Sequence, residues 1–208
     1  MSKFQMTSPL LCLVTDPEVP DLIQAVERAL AAGITMLQLR GQTLPPAHLY
    51  MLAMALCPLC QKYQAAFIVN DRVDVGLVAG ANGFQLGVRS LPLPIVRQLV
   101  GEEYLLGASV HSPEEAQVAV ASGADFLLAG TIFASQSHPG GRTGGLELLR
   151  AIKHMRLNCP LLAIGGITSA NAGQVMDSGA DGIAVISVIL DAANIEHAVR
   201  ELRTSIGL

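Results

Sequence analysis

Four segments of the chain repeat one pattern: Ala32-Gly33-Ile34-Thr35-Met36, Ala79-Gly80-Ala81-Asn82-Gly83, Ser122-Gly123-Ala124-Asp125-Phe126 and Ser178-Gly179-Ala180-Asp181-Gly182. In each, a glycine is followed by an apolar run. Glycine accepts the left-handed backbone that ends a helix without a Cβ penalty, and the residues after it then enter a strand. The repeat therefore marks four helix-to-strand joints. Between them lie further short apolar runs, Leu10 to Thr15, Ala66 to Val69, Tyr104 to Ala108 and Pro160 to Ile164, which supply the alternate strands. Helical patterns separate the runs, as in Leu22 to Ala31, Pro113 to Ala121, Gly145 to His154 and Asn171 to Ser178. Strand and helix alternating in this way predict an α/β chain with a parallel sheet.

A closed barrel and an open doubly wound sheet both satisfy that alternation. The dinucleotide-binding version of the open sheet carries Gly-x-Gly-x-x-Gly after its first strand. Here Thr15-Asp16-Pro17 stands in that place. The 208 residues suit one large core and are too few for two ordinary domains and a linker. A (βα)8 TIM barrel of residues 1–208 is therefore expected, compact against the usual ~250 residues of that fold. A hydrophobic fraction of 51% with only 14% charged residues agrees with strands buried on both faces.

The net charge of -4 leaves no basic surplus for a row of nucleic-acid phosphates, so a nucleic-acid partner is not expected. The apolar runs fall far short of the roughly 20 residues that span a bilayer. The first residues, Met1 to Pro9, lack the charged-then-apolar order of a leader. A soluble cytoplasmic protein without a membrane partner is the expectation, and a homodimer stays open. Cys12, Cys57, Cys60 and Cys159 are too irregularly spaced for a disulfide framework. Cys57-Pro58-Leu59-Cys60 has no second Cys-x-x-Cys to complete a zinc site. These thiols read as packing groups near the end of the helical stretch Leu49 to Leu56.

Barrel active sites gather at the carboxyl ends of the strands. The polar residues closing the apolar runs are Thr15 and Asp16, Gln38 and Arg40, Asn70 and Asp71, Gln85, Ser109 and His111, and Thr131. Any one of them could simply cap the next helix. Their recurrence after nearly every strand predicts a ligand site instead. The sharpest signal is Gly165-Gly166 after the seventh run with Ile186-Ser187 after the eighth. Barrels frequently bind phosphate there through backbone N–H groups and a short helix N-terminus. Gly165, Gly166, Ile186 and Ser187 are therefore the expected phosphate site.

Leu13-Val14-Thr15-Asp16, Gln38-Leu39-Arg40, Val69-Asn70-Asp71-Arg72-Val73-Asp74, Gly107-Ala108-Ser109-Val110-His111-Ser112, Gly130-Thr131-Ile132-Phe133 and Ala163-Ile164-Gly165-Gly166-Ile167 occur in this order. On these segments the chain resembles the thiamine phosphate synthase and thiazole tautomerase family, essentially end to end. The resemblance implies a barrel of thiamine biosynthesis acting on a small phosphorylated substrate. It places Gln38, Arg40, Asn70, Gln85, Ser109, Thr131, Ser135 and Ser137 against substrate. The synthase joins a pyrimidine diphosphate to a thiazole phosphate through a carbocation-like step. Magnesium and basic side chains then hold the departing pyrophosphate, placing cations where negative charge accumulates. The tautomerase moves a proton on a thiazole carboxylate phosphate and needs no pyrophosphate and no obligatory metal.

The chain departs from the synthase pattern at three points. Gln42 replaces a lysine, and Gly87-Val88-Arg89-Ser90 replaces a stretch that ends in the second metal aspartate, leaving Asp71 with its partner ligand missing. Ser135-Gln136-Ser137-His138 replaces a segment that ends in a lysine. It also departs from the tautomerase, whose catalytic histidine aligns with Thr131, a poor general base. His111 and His138 then become the catalytic candidates. His111 precedes Ser112-Pro113-Glu114-Glu115, itself a good helix start. His138 sits in a long Gly- and Ser-rich loop, Ala134 to Gly145, that reads as a lid. Because the missing groups all serve pyrophosphate, a tautomerase-like isomerase binding a thiazole phosphate, with no cofactor, is the leading expectation. The alternatives are a magnesium-dependent thiamine phosphate synthase, with Arg89 and His138 as substitute cations, and a non-catalytic phosphate-binding barrel.

Overall fold

A computed structural model describes residues 3–135 and 143–208 of the chain. Strands β1 (Leu10–Val14), β2 (Met36–Leu39), β3 (Ala66–Asn70), β4 (Gly83–Leu86), β5 (Leu105–Val110), β6 (Phe126–Gly130), β7 (Leu161–Ile164) and β8 (Gly182–Val185) close into a parallel barrel in chain order. Helices α1 (Leu22–Ala31), α2 (Pro46–Lys62), α3 (Val73–Ala79), α4 (Leu93–Val100) and α5 (Pro113–Ala121) alternate with the strands. They are followed by α6 (Gly145–His154), α7 (Ser169–Asp177), the short α8 (Ser187–Leu190) and α9 (Ile195–Ser205). The expected (βα)8 TIM barrel is the observed fold.

Side chains alternate across each strand with period two, so a strand inside the helical ring feeds two cores. Leu10, Cys12, Val14, Met36, Ile68, Leu105, Phe126, Leu128, Leu162 and Ala184 fill the barrel. Leu11, Leu13, Leu37, Val69, Phe84, Leu106, Leu127 and Ile183 point outward and pack against the helices. Both faces being apolar is why the strands read as unbroken hydrophobic runs. Phe4 and Met6 pack against the interior cluster from the chain's beginning, and Lys3 Nζ pairs with Asp125 at 2.5 Å.

The fourfold repeat has a second component beyond its glycines. Gly33, Gly80, Gly123 and Gly179 all have positive φ, at 112°, 77°, 93° and 102°. Two residues further on, a polar side chain accepts the N–H of a residue in the preceding strand. Thr35 Oγ1 takes Leu11 N at 2.9 Å, and Asn82 Oδ1 takes Phe67 N at 2.7 Å. Asp125 Oδ2 takes Leu106 N, and Asp181 Oδ2 takes Leu161 N, both at 2.9 Å. Each repeat thus stitches an odd strand to its even neighbour and satisfies a backbone donor at the barrel's amino end.

Most boundaries fall within a residue of the sequence expectation, and three differences have a physical consequence. β5 runs on to Val110, which carries Ser109 into the strand itself. Helix α7 begins at Ser169, before the expected Asn171, because the Asn171 side chain reaches back to accept Thr168 N at 2.8 Å and so sits inside the first turn. Helix α2 continues through Pro58 to Lys62 rather than ending near Leu56. Its buried face, Leu49, Ala53, Leu56, Cys57 and Cys60, supplies tertiary packing that outweighs the lost backbone bond. Burial pushes the Cys12 and Cys60 thiols up to about 12 and raises that of Cys57, so these are inert packing groups. Among the described residues, no helix is long and apolar enough to cross a membrane.

Candidate active site

The carboxyl ends of the strands surround a cavity of about 860 Å³. Its floor is made by residues near the carboxyl ends of strands, among them Val14, Gln38, Asn70, Ser109, Leu128 and Ile164. Gln38 on β2 and Gln85 on β4 are buried, 4% and 1% exposed, which an amide tolerates only with hydrogen-bond partners. Gln38 Nε2 donates to Asn70 Oδ1 at 2.7 Å, and Asn70 Nδ2 donates to Asp71 Oδ2 at 2.6 Å. Gln85 Nε2 donates to Ser109 Oγ at 3.1 Å, while Gln85 Oε1 has no hydrogen-bond partner among the described residues. An unpaired buried acceptor costs ~1–3 kcal/mol; Gln85 does not itself line the cavity, and its Oε1 lies against Gly107 of β5, behind Ser109, which does.

The wall formed by β2, β3 and β4 centres on Asp71. Its Oδ2 also accepts Gln42 Nε2 at 3.0 Å, and its Oδ1 accepts the Ser90 hydroxyl and Gly87 N, the latter at 3.3 Å. Gly87 N donates to Ser90 Oγ as well, at 2.7 Å. Gln42 and Ser90, read from the sequence as losses, are therefore built into the site as neutral donors to the carboxylate. Nothing in their residue types announced that; it follows from the β2 and β4 loops meeting over β3. Arg40, after β2, and Arg89, after β4, also line the cavity.

The opposite wall is the glycine turn after β7 together with the start of α8. Gly165 and Gly166 have φ of 107° and 62°. A Cβ on Gly165 would lie 2.4 Å from Thr131 Cγ2, and one on Gly166 would lie 2.5 Å from the Ala134 carbonyl oxygen. The turn is held by Phe133 N donating to Gly165 O at 3.0 Å and by Asn171 Nδ2 donating to Gly166 O at 3.0 Å. Among the described residues, no backbone carbonyl takes the N–H of Gly165 or Gly166. Ile186 is the N-cap of α8 and Ser187 its first residue, so N–H groups of a helix start face the same space. That pairing of free amides and helix terminus is an anion-binding arrangement.

The remaining expected residues distribute as follows. Thr131 and Ser135 line the cavity. His111 lies at its rim, half exposed, with Nδ1 3.0 Å from Glu115 Oε2. The cap of α5 is Ser112, whose hydroxyl accepts Glu115 N at 3.2 Å, and His111 turns both its backbone N–H and its ring Nδ1 to Glu115 Oε2. Thr15 is spent on the fold, with Oγ1 accepting Arg40 N at 2.9 Å. Ser137 and His138 lie outside the described residues. Thr168, next to the glycine turn, lines the cavity, as does Asp191, which was not anticipated. Asp191 is one helical turn beyond Ser187, a spacing that could have revealed it. Among the described residues, no group of three or more His, Cys, Asp or Glu side chains is placed to hold a metal ion.

Fold and site together define a (βα)8 barrel with an anion-binding turn facing a polar, guanidinium-bearing wall. The family profile described as thiamine monophosphate synthase matches residues 11–189. A thiamine-phosphate synthase of Chlorobium limicola is 43% identical over 197 residues, covering 94% of this chain and 93% of that one. One from Pyrococcus furiosus is 39% identical over 193 residues, covering 93% and 92%. The solved structure of a thiamine phosphate pyrophosphorylase from Pyrococcus furiosus superposes with a TM-score of 0.88 at 38% identity, covering 95% of each chain. The chain belongs to the thiamine monophosphate synthase family. These relatives favour the synthase alternative over the tautomerase-like reading drawn from the missing pyrophosphate groups. That reading counted Gln42 and Ser90 as absences, whereas both still contact Asp71.

Proposed function

We propose that the protein is a thiamine-phosphate synthase, joining a pyrimidine diphosphate to a thiazole phosphate with release of pyrophosphate. The observation that carries this reading is one cavity with two anion-binding ends. The turn of Gly165, Gly166, Ile186 and Ser187 receives the thiazole phosphate, and Arg40 and Arg89 beside Asp71 receive the diphosphate. A volume of about 860 Å³ suits two small substrates side by side.

Between the two ends, Gln38, Asn70, Gln85 and Ser109 offer the amides and hydroxyl that orient the pyrimidine. Gln85 stands behind the cavity lining and holds the Ser109 hydroxyl through its Nε2. Holding both substrates in one frame converts a bimolecular encounter into an intramolecular step. Negative charge builds on the departing pyrophosphate, where Arg40 and Arg89 stand ready. Magnesium is bound by hard oxygens, often one or two carboxylates plus substrate phosphates. Asp71 with the Ser90 hydroxyl fits that donor class, and the ion would neutralise the leaving diphosphate. Thr131 and Ser135 contact substrate from β6, and His111 at the rim serves as a hydrogen-bonding group.

Incubation with both substrates and magnesium, followed by chromatography, tests the reading. Thiamine phosphate and pyrophosphate are expected. Conversion of the thiazole carboxylate phosphate isomer, with no thiamine phosphate formed, would restore the tautomerase reading. Inertness in both assays would leave a phosphate-binding barrel.

A further inference from the structure

Helix α2 is apolar on its outer side as well as its inner one. Between Pro46 and Gln61 it carries no Asp, Glu, Lys or Arg. It buries Leu49, Ala53, Leu56, Cys57 and Cys60, yet Tyr50, Met51 and Met54 on its other side are exposed, Met51 by 62%. A helix that is hydrophobic all round is ordinarily a buried one. The apolar surface continues on the next two helices. α3 packs against α2, with Cys57 Sγ donating to Gly80 O at 3.4 Å, and exposes Leu77 and Val78, the latter by 70%. α4, next round the barrel, exposes Ile95 and Leu99, four residues apart on one face. Together these side chains expose about 600–700 Å², against ~300–600 Å² for the largest apolar patch on a typical monomer and ~800 Å² buried by each partner in a standard interface.

The charges of these helices lie at their margins. Lys62 closes α2 and pairs with Glu27 of α1 at 2.9 Å, and Asp74 in the first turn of α3 pairs with Arg72 at 2.5 Å. Arg97 of α4 turns away to Asp125 at 2.7 Å. A membrane surface is a poor match, because amphipathic helices that lie on lipid border their apolar face with Lys and Arg. A partner selected by charge is a poor match for the same neutral face. A second copy of the chain fits. Each copy carries a net charge of -4, and this band is where two of them can meet without like charges opposed. Tyr, Met, Leu and Ile without Lys, Glu or Asp is also the composition of an interface core, and homodimer contacts are the more apolar class.

We infer that the band across α2, α3 and α4 is a dimer interface, joining two copies of the chain face to face about a twofold axis. Such pairing holds whichever reaction the cavity performs.

Sedimentation equilibrium of the full chain tests it. The mass of two chains is expected, with a dissociation constant in about the micromolar range or tighter. Val78→Glu and Leu99→Glu each set a carboxylate against its own counterpart band, and each should weaken the dimer at least about 100-fold. Both positions are exposed, so the variants fold, which circular dichroism melts check. Mixing Val78→Glu with Val78→Lys should restore pairing. Gln174→Glu, exposed on α7 across the barrel, should leave the dimer as it is. Native protein with the mass of one chain at about 100 μM overturns the inference. So does a dimer that either folded variant leaves intact, which would place the contact on another face. Co-flotation of single chains with phosphatidylglycerol vesicles, abolished by the same variants, would assign the band to a membrane instead.

Discussion

Replacing Gly166 by alanine probes the proposed phosphate turn where an added Cβ would meet backbone. The alanine Cβ would lie 2.5 Å from the carbonyl oxygen of Ala134 and 2.8 Å from Phe133 Cβ. The first of these is backbone and cannot rotate away, so relief requires moving the turn itself. Left-handed backbone costs an L-residue about 1–2 kcal/mol, and overpacking adds typically ~1–3 kcal/mol. The combined loss of about 2–5 kcal/mol corresponds to a fall in Tm of about 4–20 °C for a domain of this size. A displaced turn loses at least one amide bond to phosphate, worth ~1.5–3 kcal/mol, which weakens thiazole phosphate binding roughly 10- to 100-fold. Calorimetry with thiazole phosphate and a thermal melt measure the two effects. Gly123→Ala is the control: φ is 93° there, but nothing lies within 4 Å of the added Cβ. It should lower Tm and leave binding intact. A Gly166→Ala protein that binds thiazole phosphate as tightly as the native one would refute the assignment of this turn.

At the diphosphate end, Gln42→Lys combined with Ser90→Asp should raise kcat/KM with both synthase substrates by about 100-fold, on the scale of one preorganised charged contact; unchanged steady-state kinetics would show that neutral donors suffice there. Gln85→Met removes the unpartnered buried acceptor, so Tm should hold or rise while affinity for the pyrimidine diphosphate falls. A drop in Tm with unchanged affinity would make Gln85 a structural residue. On the outer surface, the Arg28 guanidinium, bonded at 2.7 Å, holds the Glu196 carboxyl down at about 2. Its pKa is lower folded than unfolded, so its stabilisation is present above the ordinary carboxylate range and is lost as pH falls toward 2. The Tm difference between native protein and Glu196→Gln should therefore shrink from pH 5 to pH 2, and a constant difference would place the contact outside the stability of the fold.

The barrel was legible because its determinants are local. Each of Gly33, Gly80, Gly123 and Gly179 ends a helix by its own backbone, and each strand run is apolar because both its faces are covered. The glycine turn was legible for the same reason, since Gly165-Gly166 and Ile186-Ser187 are contiguous pairs at strand ends that line one cavity. The role of Thr35, Asn82, Asp125 and Asp181 was not, although they lie inside the repeat. Their partners are in other strands, and only the register of the closed sheet brings them together. The same limit misdirected the functional reading. Gln42, Asp71 and Ser90 come from three loops, and the sequence displays the loss of a lysine and an aspartate but not the hydrogen bonds their replacements make. His111 looked chemical because it follows a strand, yet its N–H and ring both turn toward Glu115 on the next helix.

The central claim is that one cavity binds two anions at opposite ends. A crystal structure of the protein soaked with inorganic phosphate, pyrophosphate and magnesium tests it most directly. Phosphate is expected on the N–H groups of Gly165, Gly166 and Ser187, with pyrophosphate between Arg40, Arg89 and Asp71. A glycine turn that is empty or closed by side chains, or pyrophosphate lying across the phosphate turn instead, would contradict the account.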